Sequence, residues 1–318
     1  MAHEIETMAY VGATPWHGLG NPLTPNRPIE IWMREAGMDW QIEEADVLYN
    51  AANDQSLLIK PYADNKVLYR SDSHAPLSVV SKRYQVVQPR EVLEFYRDLV
   101  AVSGFQLETA GVLKGGRKFW ALAKTGQEFL LPGDDQIKGY LLLATSCDGT
   151  LATTAQFTSV RVVCNNTLQL AVGHRGGAVR VSHATRFDAA LVKQALGIGV
   201  SAWDAFIGNI RTLAKRQVTQ KEANQFLVEV LGDPEPLSTQ QTAPRALQTI
   251  RNLFEGEGRG SQLKSAEGTA WGLLNGVTEY VDHFRRARNQ DFRLDSAWFG
   301  MGATIKERAY HAAMKLAA

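Results

Sequence analysis

The sequence lacks the features that mark several large classes of protein. No apolar run in its 318 residues approaches the roughly 18 residues that a helix needs to cross a bilayer, which argues against a membrane-spanning protein. The opening residues, MAHEIETMAY, contain no basic segment followed by an apolar one, so we expect no secretion signal. The two cysteines, Cys147 and Cys164, form no CxxC pair. Their scarcity argues against a disulfide scaffold and favours the reducing cytoplasm.

Common catalytic motifs are also missing. The glycines of GVLKGGRK have the wrong spacing for a Walker A motif, and GxSxG, HExxH and EF-hand sequences do not occur. Ser182 and His183 are neighbours, but neighbours on a strand point to opposite faces and do not form a catalytic pair. Glu279 and His283 lie one helical turn apart, where an exposed ion pair is a simpler interpretation than a metal site.

Basic residues are concentrated in the middle of a nearly neutral chain of net charge +1. Residues 1–59 carry nine acids and two bases, whereas residues 149–221 carry nine bases and two acids. A local excess of cations attracts polyanions whatever the overall charge. The alternative is a solvated basic face that balances the acidic N-terminal segment.

Hairpin patterns dominate the first two thirds of the chain after a turn-rich start. Residues 66–87 predict two short strands around a turn at Ala75-Pro76. The runs GFQLETAGVL and RKFWALAKTG flank KGG, which is a hairpin signal. A second hairpin joins KGYLLLATSC to TLATTAQFTSVRVVC through a predicted type I′ turn at Asp148-Gly149.

One helix and two weaker segments accompany these hairpins. Pro89 begins a predicted helix that Gly104 ends. AVRVSHATRF predicts a further short strand. NNTLQLAVG predicts either a short helix capped by Asn165 or Asn166, the interpretation that the cap favours, or another turn.

The pattern becomes helical from Asp188 onward, with a capping box at Thr219 and Glu222. Strands and one helix followed by helices predict an α+β fold with a central antiparallel sheet, built from β-hairpins with a packed helix in a β-β-β-α-like core, and a helical C-terminal region. The predicted divisions are an N-terminal arm at 1–60, an α+β core at 61–187 and a helical region at 188–318.

The motif PWHGLG stands out in the N-terminal arm. We interpret Trp16 as a core residue around which the glycines bend the chain. The alternative is that Trp16 and His17 contact a ligand or a neighbouring subunit.

The stretch TSVRVVCNN places a cation inside a β-branched run. If Val160, Val162 and Cys164 face the core, Arg161 points to the opposite face, where arginine and threonine side chains suit phosphate contact. A cationic groove with a stacking aromatic residue is the usual means of binding single-stranded nucleic acid. The predicted nucleic-acid-binding residues are Arg161, Arg180, Arg186, Lys82, Arg83, Lys114, Arg117 and Lys118 for the backbone, with Tyr84 to stack on a base.

Several long motifs together resemble the phage/plasmid-like protein family that carries domain of unknown function 932. They are TPWHGLG, YRSDSHAPLSVVSKRYQVVQPREVLEF, LATSCDGTLATTAQFTSVRVVCNNTLQLA, VSHATRFDA and TAWGLLNGVTEYVDH. The resemblance extends over nearly the whole chain and implies a mobile-element origin and a cytoplasmic role in phage or plasmid DNA metabolism. The predicted order of hairpins and helix is also similar to the core of Rad52-like single-strand annealing proteins, a likeness of architecture only.

These observations favour a protein that binds and anneals single-stranded DNA in recombination, with no enzymatic activity and no cofactor. The implied partners are single-stranded DNA, further copies of the chain in a ring or filament, and a phage or plasmid exonuclease, with no membrane. A second hypothesis is a metal-dependent enzyme on nucleic acid or nucleotides that uses Asp148, His183, Glu279 and His283. A third is an interaction module whose acidic arm mimics DNA and binds a host factor.

Overall fold

The α+β class predicted from the sequence is confirmed by a computed structural model of the chain. The structure describes residues 5–12, 20–52, 58–161, 166–169, 178–196, 200–232 and 244–318. Trp16, His17 and Cys164 therefore lie outside the described residues. No helix among the described residues has both the length and the apolar composition needed to cross a bilayer.

The strands come first in the chain and most helices come last. The strands within the described residues are β1 Ile5–Val11, β2 Asn21–Leu23, β3 Ile42–Asn50, β4 Ile59–Arg70, β5 Pro76–Ser81, β6 Gln106–Leu113, β7 Lys118–Leu131, β8 Asp135–Ser146, β9 Thr153–Arg161, β10 Asn166–Gln169 and β11 Ala178–Val181. The helices within the same residues are α1 Ile29–Glu35, α2 Pro89–Ser103, α3 Ala189–Leu196, α4 Val200–Lys215, α5 Gln220–Leu231, α6 Pro244–Asn252, α7 Ala270–Glu279, α8 Gln290–Phe299 and α9 Met301–Ala317. Short π-helical segments continue α6 and α7.

The chain divides into two compact units that are assembled from alternating segments. Unit 1 contains residues 1–125, 141–156 and 178–197, and unit 2 contains residues 126–140, 157–177 and 198–318. The three-part division of the sequence into an arm, a core and a helical region stays a prediction.

Unit 1 holds two sheets. In the larger sheet the strand order within this unit is β11-β9-β8-β7-β6-β1-β2. Strand β6 runs antiparallel to β7 and β1, β11 runs antiparallel to β9, and β1 and β2 run parallel. The smaller sheet has the order β3-β4-β5 and is antiparallel. Helix α2 packs by its apolar face, and the buried Tyr96 hydroxyl lies 2.8 Å from the carbonyl oxygen of Ala121 and 3.0 Å from that of Leu141, the two acceptors for its one proton. Burial raises the pKa of the Tyr96 hydroxyl well above its ordinary value.

Unit 2 holds the remaining halves of the long strands, paired in the order β10-β9-β8-β7, together with helices α4 to α9. Helix α7 is buried along its whole length, which identifies it as the central helix of this unit. Its N-cap Thr269 accepts a hydrogen bond from the backbone N–H of Gly272.

Local signals in the sequence account for several element boundaries. The helix that begins at Pro89 ends where Gly104 adopts φ +70°, and the capping box of Thr219 and Glu222 begins α5. The β6–β7 hairpin, the β4–β5 hairpin and β11 are also confirmed.

Two local predictions are wrong. The loop between β8 and β9 is not a two-residue type I′ turn, because it extends from residue 147 to residue 152 and only Gly149 of the predicted pair has positive φ. The segment after Asn165 forms strand β10 rather than a helix, since its residues find a partner in β9, with Asn166 opposite Arg161. The strands β1, β2 and β3 in the N-terminal arm carried no clear sequence signal.

Candidate nucleic-acid interface

Arg161 lies inside unit 2 and does not line an open groove, so its predicted placement is wrong. The residue is 3% exposed at the end of β9. Its Nε donates to Asp135 Oδ1 at 2.6 Å and its Nη2 donates to Asp135 Oδ2 at 2.8 Å. The remaining donors reach the carbonyl oxygens of Gly260 and Arg259, at 2.9 and 3.5 Å. The guanidinium is therefore held by internal acceptors.

Asp135 is the centre of this buried cluster, and the sequence analysis assigns it no role. Besides Arg161, it accepts hydrogen bonds on Oδ2 from Ser265 Oγ at 2.6 Å and from Trp271 Nε1 at 3.0 Å. Asp135 is fully buried at the start of β8. Four donors thus satisfy this buried carboxylate, so the cluster is a structural one. The sequence signal for this aspartate is the turn GDD at residues 133–135, before β8. Acidic turns of this kind are usually exposed, so the signal does not predict a buried carboxylate.

Glu279 belongs to the same buried region of unit 2. Its carboxylate accepts from the backbone N–H of Arg259, whose carbonyl oxygen contacts Arg161. Burial raises the pKa of Glu279, against the lowering effect of the Arg259 N–H and of the two guanidinium groups. Glu279 is thus part of the support of Arg161 rather than an exposed partner of His283.

Two further predicted contacts, Lys118 and Tyr84, lie partly or wholly inside unit 1. Lys118 is 5% exposed at the start of β7. Tyr84 donates its hydroxyl to the carbonyl oxygen of Ser146 at 2.9 Å and stacks on His183 with ring centroids 4.4 Å apart. One face of the Tyr84 ring is therefore covered by His183, which removes that face from contact with a base.

His183 joins two segments of unit 1 through backbone oxygens. Its Nδ1 lies 3.1 Å from the carbonyl oxygen of Gln85, and its Nε2 lies 3.0 Å from that of Leu151. The backbone N–H of Gln85 donates in turn to the carbonyl oxygen of His183 at 2.6 Å. Ser182 accepts from the N–H of Ala184 and, as expected, makes no pair with His183.

The β8–β9 loop, residues 147–152, is where three basic segments of unit 1 meet. Tyr84 reaches Ser146 at the loop entrance, and the N–H of Cys147 donates to the carbonyl oxygen of Arg117 at 2.9 Å. His183 reaches Leu151 from the segment that follows β11. Hydrogen bonds thus bring residues 82–85, residues 114–117 and residues 180–186 to one loop.

Four arginines of these segments are exposed, and we call them the arginine surface: Arg83, Arg117, Arg180 and Arg186. None of their side chains forms an ion pair with any residue that the structure describes. Unpaired guanidinium groups retain their full field toward solvent and their donors for phosphate oxygens. Of the predicted contacts, these four are exposed, have no ion pair within the described residues and lie on segments that hydrogen-bond to the β8–β9 loop; their contact with nucleic acid stays a prediction.

Lys82 and Lys114 differ from these arginines. Lys82 is exposed but donates to Asp46 Oδ1 at 2.6 Å. Lys114 is half-buried at φ +55° in the turn between β6 and β7. Neither lysine has the unpaired, outward-directed charge of the arginine surface.

The residues of the enzyme hypothesis belong to different units. Asp148 and His183 lie in unit 1, whereas Glu279 and His283 lie in unit 2. Across the described residues, no three His, Cys, Asp or Glu side chains gather in an arrangement that could hold a metal ion. Burial raises the pKa of Asp148, but hydrogen bonds from Thr150 outweigh it, so the net shift is downward.

Cys147 is a buried thiol beside this loop. Burial raises its pKa to about 12, so the unreactive thiol form persists at neutral pH. A nucleophilic role at this position has no support in its environment.

Comparison with protein families gives a match that covers most of the chain. The model of a family described as "Domain of unknown function (DUF932)" matches residues 76–298. That range includes the whole arginine surface and the Asp135 cluster. No curated protein and no solved structure matches the chain significantly.

Proposed function

The chain belongs to the DUF932 family, and we propose that it binds single-stranded DNA on the arginine surface and promotes the pairing of complementary strands. The observation that carries the proposal is the arrangement of Arg83, Arg117, Arg180 and Arg186. They are exposed, have no ion pair within the described residues, and lie on segments that hydrogen-bond to one loop. The proposal places this activity in the cytoplasm, in phage or plasmid recombination.

The mechanism is electrostatic. Each guanidinium group would donate paired hydrogen bonds to a phosphate and release condensed counterions, which gives affinity without sequence preference. Contacts to the backbone leave the Watson–Crick edges of the bases available to a second strand. Annealing requires that availability and breaks no covalent bond, so it needs no catalytic group.

Tyr84 and His183 have a positioning role in this proposal. Their stacked rings, inclined by 17°, hold the segment of Arg83 against the segment of Arg186. Arg161 supports unit 2 from within and makes no contact with DNA. An oligomer in the form of a ring or filament, and an exonuclease partner, remain part of the hypothesis that the sequence suggested.

Fluorescence anisotropy with a labelled oligothymidylate over a salt series tests the binding step. Four phosphate contacts predict that the logarithm of the association constant falls with the logarithm of salt concentration with a slope of about −3. The double variant Arg83→Gln/Arg186→Gln should reduce the magnitude of that slope by about 1.4. Arg34→Gln/Arg90→Gln is the matched control, because both arginines are exposed but paired with Glu35 and Glu94.

Strand annealing is measured separately with two complementary oligonucleotides that carry a fluorescence donor and acceptor. The wild-type protein should accelerate pairing, and the control variant should retain that acceleration. Binding that is absent or independent of salt would overturn the proposal as a whole. Salt-dependent binding without faster pairing would overturn the annealing step.

A further inference from the structure

Strand β3 is an edge strand in the smaller sheet of unit 1, as far as the described residues extend. Its odd-numbered positions direct their backbone groups toward β4. The carbonyl oxygen of Gln41, just before the strand, accepts from the N–H of Ser71, and the N–H of Ala51, just after it, donates to the carbonyl oxygen of Leu58. The even-numbered residues therefore direct their N–H and C=O groups away from the sheet.

Only the first of these outward positions is covered by the rest of unit 1. The N–H of Ile42 donates to Gln88 Oε1 at 2.8 Å, and Gln88 Nε2 donates to the carbonyl oxygen of Ile42 at 3.0 Å. The outward backbone groups at Glu44, Asp46, Leu48 and Asn50 have no partner within the described residues. They form an open edge of four residues that could pair with another strand.

Proteins usually protect such an edge with charged side chains or with a bulge. The register of β3 against β4 shifts between Asp46 and Val47, but the extra residues of that shift belong to β4, and β3 itself stays continuous. Here both edge carboxylates are neutralised, because Glu44 accepts from Lys66 and Asp46 accepts from Lys82, each at 2.6 Å. The end of the β3–β4 hairpin also exposes apolar side chains. The exposed fractions are 60% for Leu48, 47% for Tyr49, 56% for Ile59 and 49% for Tyr62. Leu48 and Ile59 lie on one face of the hairpin and Tyr49 and Tyr62 on the other, so both faces beside the open edge carry exposed apolar side chains, which favours an interaction surface.

We propose that β3 pairs with β3 of a second copy of the chain, antiparallel and centred on Leu48. In this register Leu48 lies opposite its own copy, Asp46 lies opposite Asn50, and Val47 lies opposite Tyr49. No two like charges face each other, and the β-branched and aromatic side chains form cross-strand pairs. In this register the even-numbered residues form the hydrogen-bonded pairs between the two copies. These are the residues whose N–H and C=O groups point outward from the open edge.

The self-complementary register is the reason to favour a second copy over an unrelated strand. The pairing is isologous, so it closes as a dimer, and a ring would need another interface. This inference does not depend on DNA binding, since it involves the edge of the smaller sheet and none of the arginine surface. Its failure would leave the anisotropy experiment unaffected.

Opposite charges introduced at Leu48 test the register, because in the proposed dimer this residue lies opposite the same residue of the second copy. Sedimentation or light scattering should give a dimer for the full-length wild-type chain at about 0.1 mM, where a micromolar interaction is nearly complete. Leu48→Lys and Leu48→Glu should each be monomeric, since like charges would then be opposed. An equimolar mixture of the two variants should recover the dimer mass. Val79→Lys is the matched control and should stay dimeric, because Val79 is 59% exposed on β5 of the same sheet.

Three results would overturn the proposal. A monomeric wild-type chain would exclude the second copy as the occupant of the edge. Dimers that persist in both single variants would place the interface elsewhere. A mixture that stays monomeric while each variant keeps its circular dichroism spectrum would exclude the register centred on Leu48.

Discussion

Arg161 and Asp135 form a buried, bidentate ion pair in which both partners are at most 2% exposed at their side chains. Two hydrogen bonds of 2.6 and 2.8 Å join them, and Ser265 adds a third donor to the carboxylate. A pair of this type contributes little compared with an apolar replacement of both residues, but removing one partner leaves an uncompensated buried charge. The chain therefore depends on having both residues present.

This dependence gives the first stability prediction. Asp135→Asn should lower the free energy of unfolding by about 3–5 kcal/mol, because the Arg161 guanidinium stays buried without its counter-charge. Ser265→Ala should cost about 1–3 kcal/mol through one lost hydrogen bond. Urea unfolding followed by circular dichroism measures both.

The control for that prediction is an exposed pair of unit 2. Glu229 contacts Lys315 at 2.8 Å with side chains 55% and 73% exposed, so Glu229→Gln should cost less than about 1 kcal/mol. If Asp135→Asn were no more costly than Glu229→Gln, the buried pair would not have the structural role assigned to it.

Two glycines in helices of unit 2 should respond to alanine in opposite directions. A Cβ at Gly272 of α7 would lie 1.9 Å from the carbonyl oxygen of Ala266, a backbone atom that cannot move aside. Gly272→Ala should therefore lower the free energy of unfolding by about 3 kcal/mol or more. Among the described residues outside its own stretch of helix, no atom lies within 4 Å of a Cβ built at Gly208 of α4, so Gly208→Ala should raise the free energy of unfolding by about 0.5–1 kcal/mol. Equal effects of the two variants in urea unfolding would contradict this contrast.

Local features of the fold could be predicted from the sequence, and long-range ones could not. Pro89, the KGG turn and the Thr219–Glu222 capping box act within a few residues of themselves, and each gave the correct boundary. The partners of Arg161 are 26 and about 99 residues away in the chain. Strand alternation separates the two faces of a strand, but it cannot say whether either face meets solvent or another layer, and in β9 Val160 is only half-buried while Arg161 is buried.

Strand β3 shows a different limit. The segment QIEEADVLYN has no clean alternation of apolar and polar residues, because nearly all of β3 beyond Ile42 is exposed on both faces. The wrong prediction at β10 also reflects information that the sequence does not hold. Asn165 or Asn166 favours a helix as a local cap, whereas the strand forms because β9 pairs with it in the fold. The four residues of the arginine surface are all among the contacts that the sequence predicts. That their segments meet at the β8–β9 loop could not be predicted, because it depends on hydrogen bonds between residues far apart in the chain.

The capping box at the start of α5 gives a prediction about acid stability. The N–H of Thr219, the guanidinium of Arg216 and the hydroxyl of Thr219 together lower the pKa of Glu222 to about 2, from an ordinary value of 4.5. Because the folded-state pKa is depressed, the stabilisation by this carboxylate is fully present above pH 4.5 and is lost as pH falls from 4.5 toward about 2. Glu222→Gln should lower the melting temperature at neutral pH and make it less sensitive to pH over that interval. Thermal melts across the interval measure this, with the wild-type chain as the reference. Direct titration of the Glu222 carboxyl carbon by nuclear magnetic resonance should give a midpoint near the lower end of that interval, and a midpoint at its ordinary value would contradict the capping role.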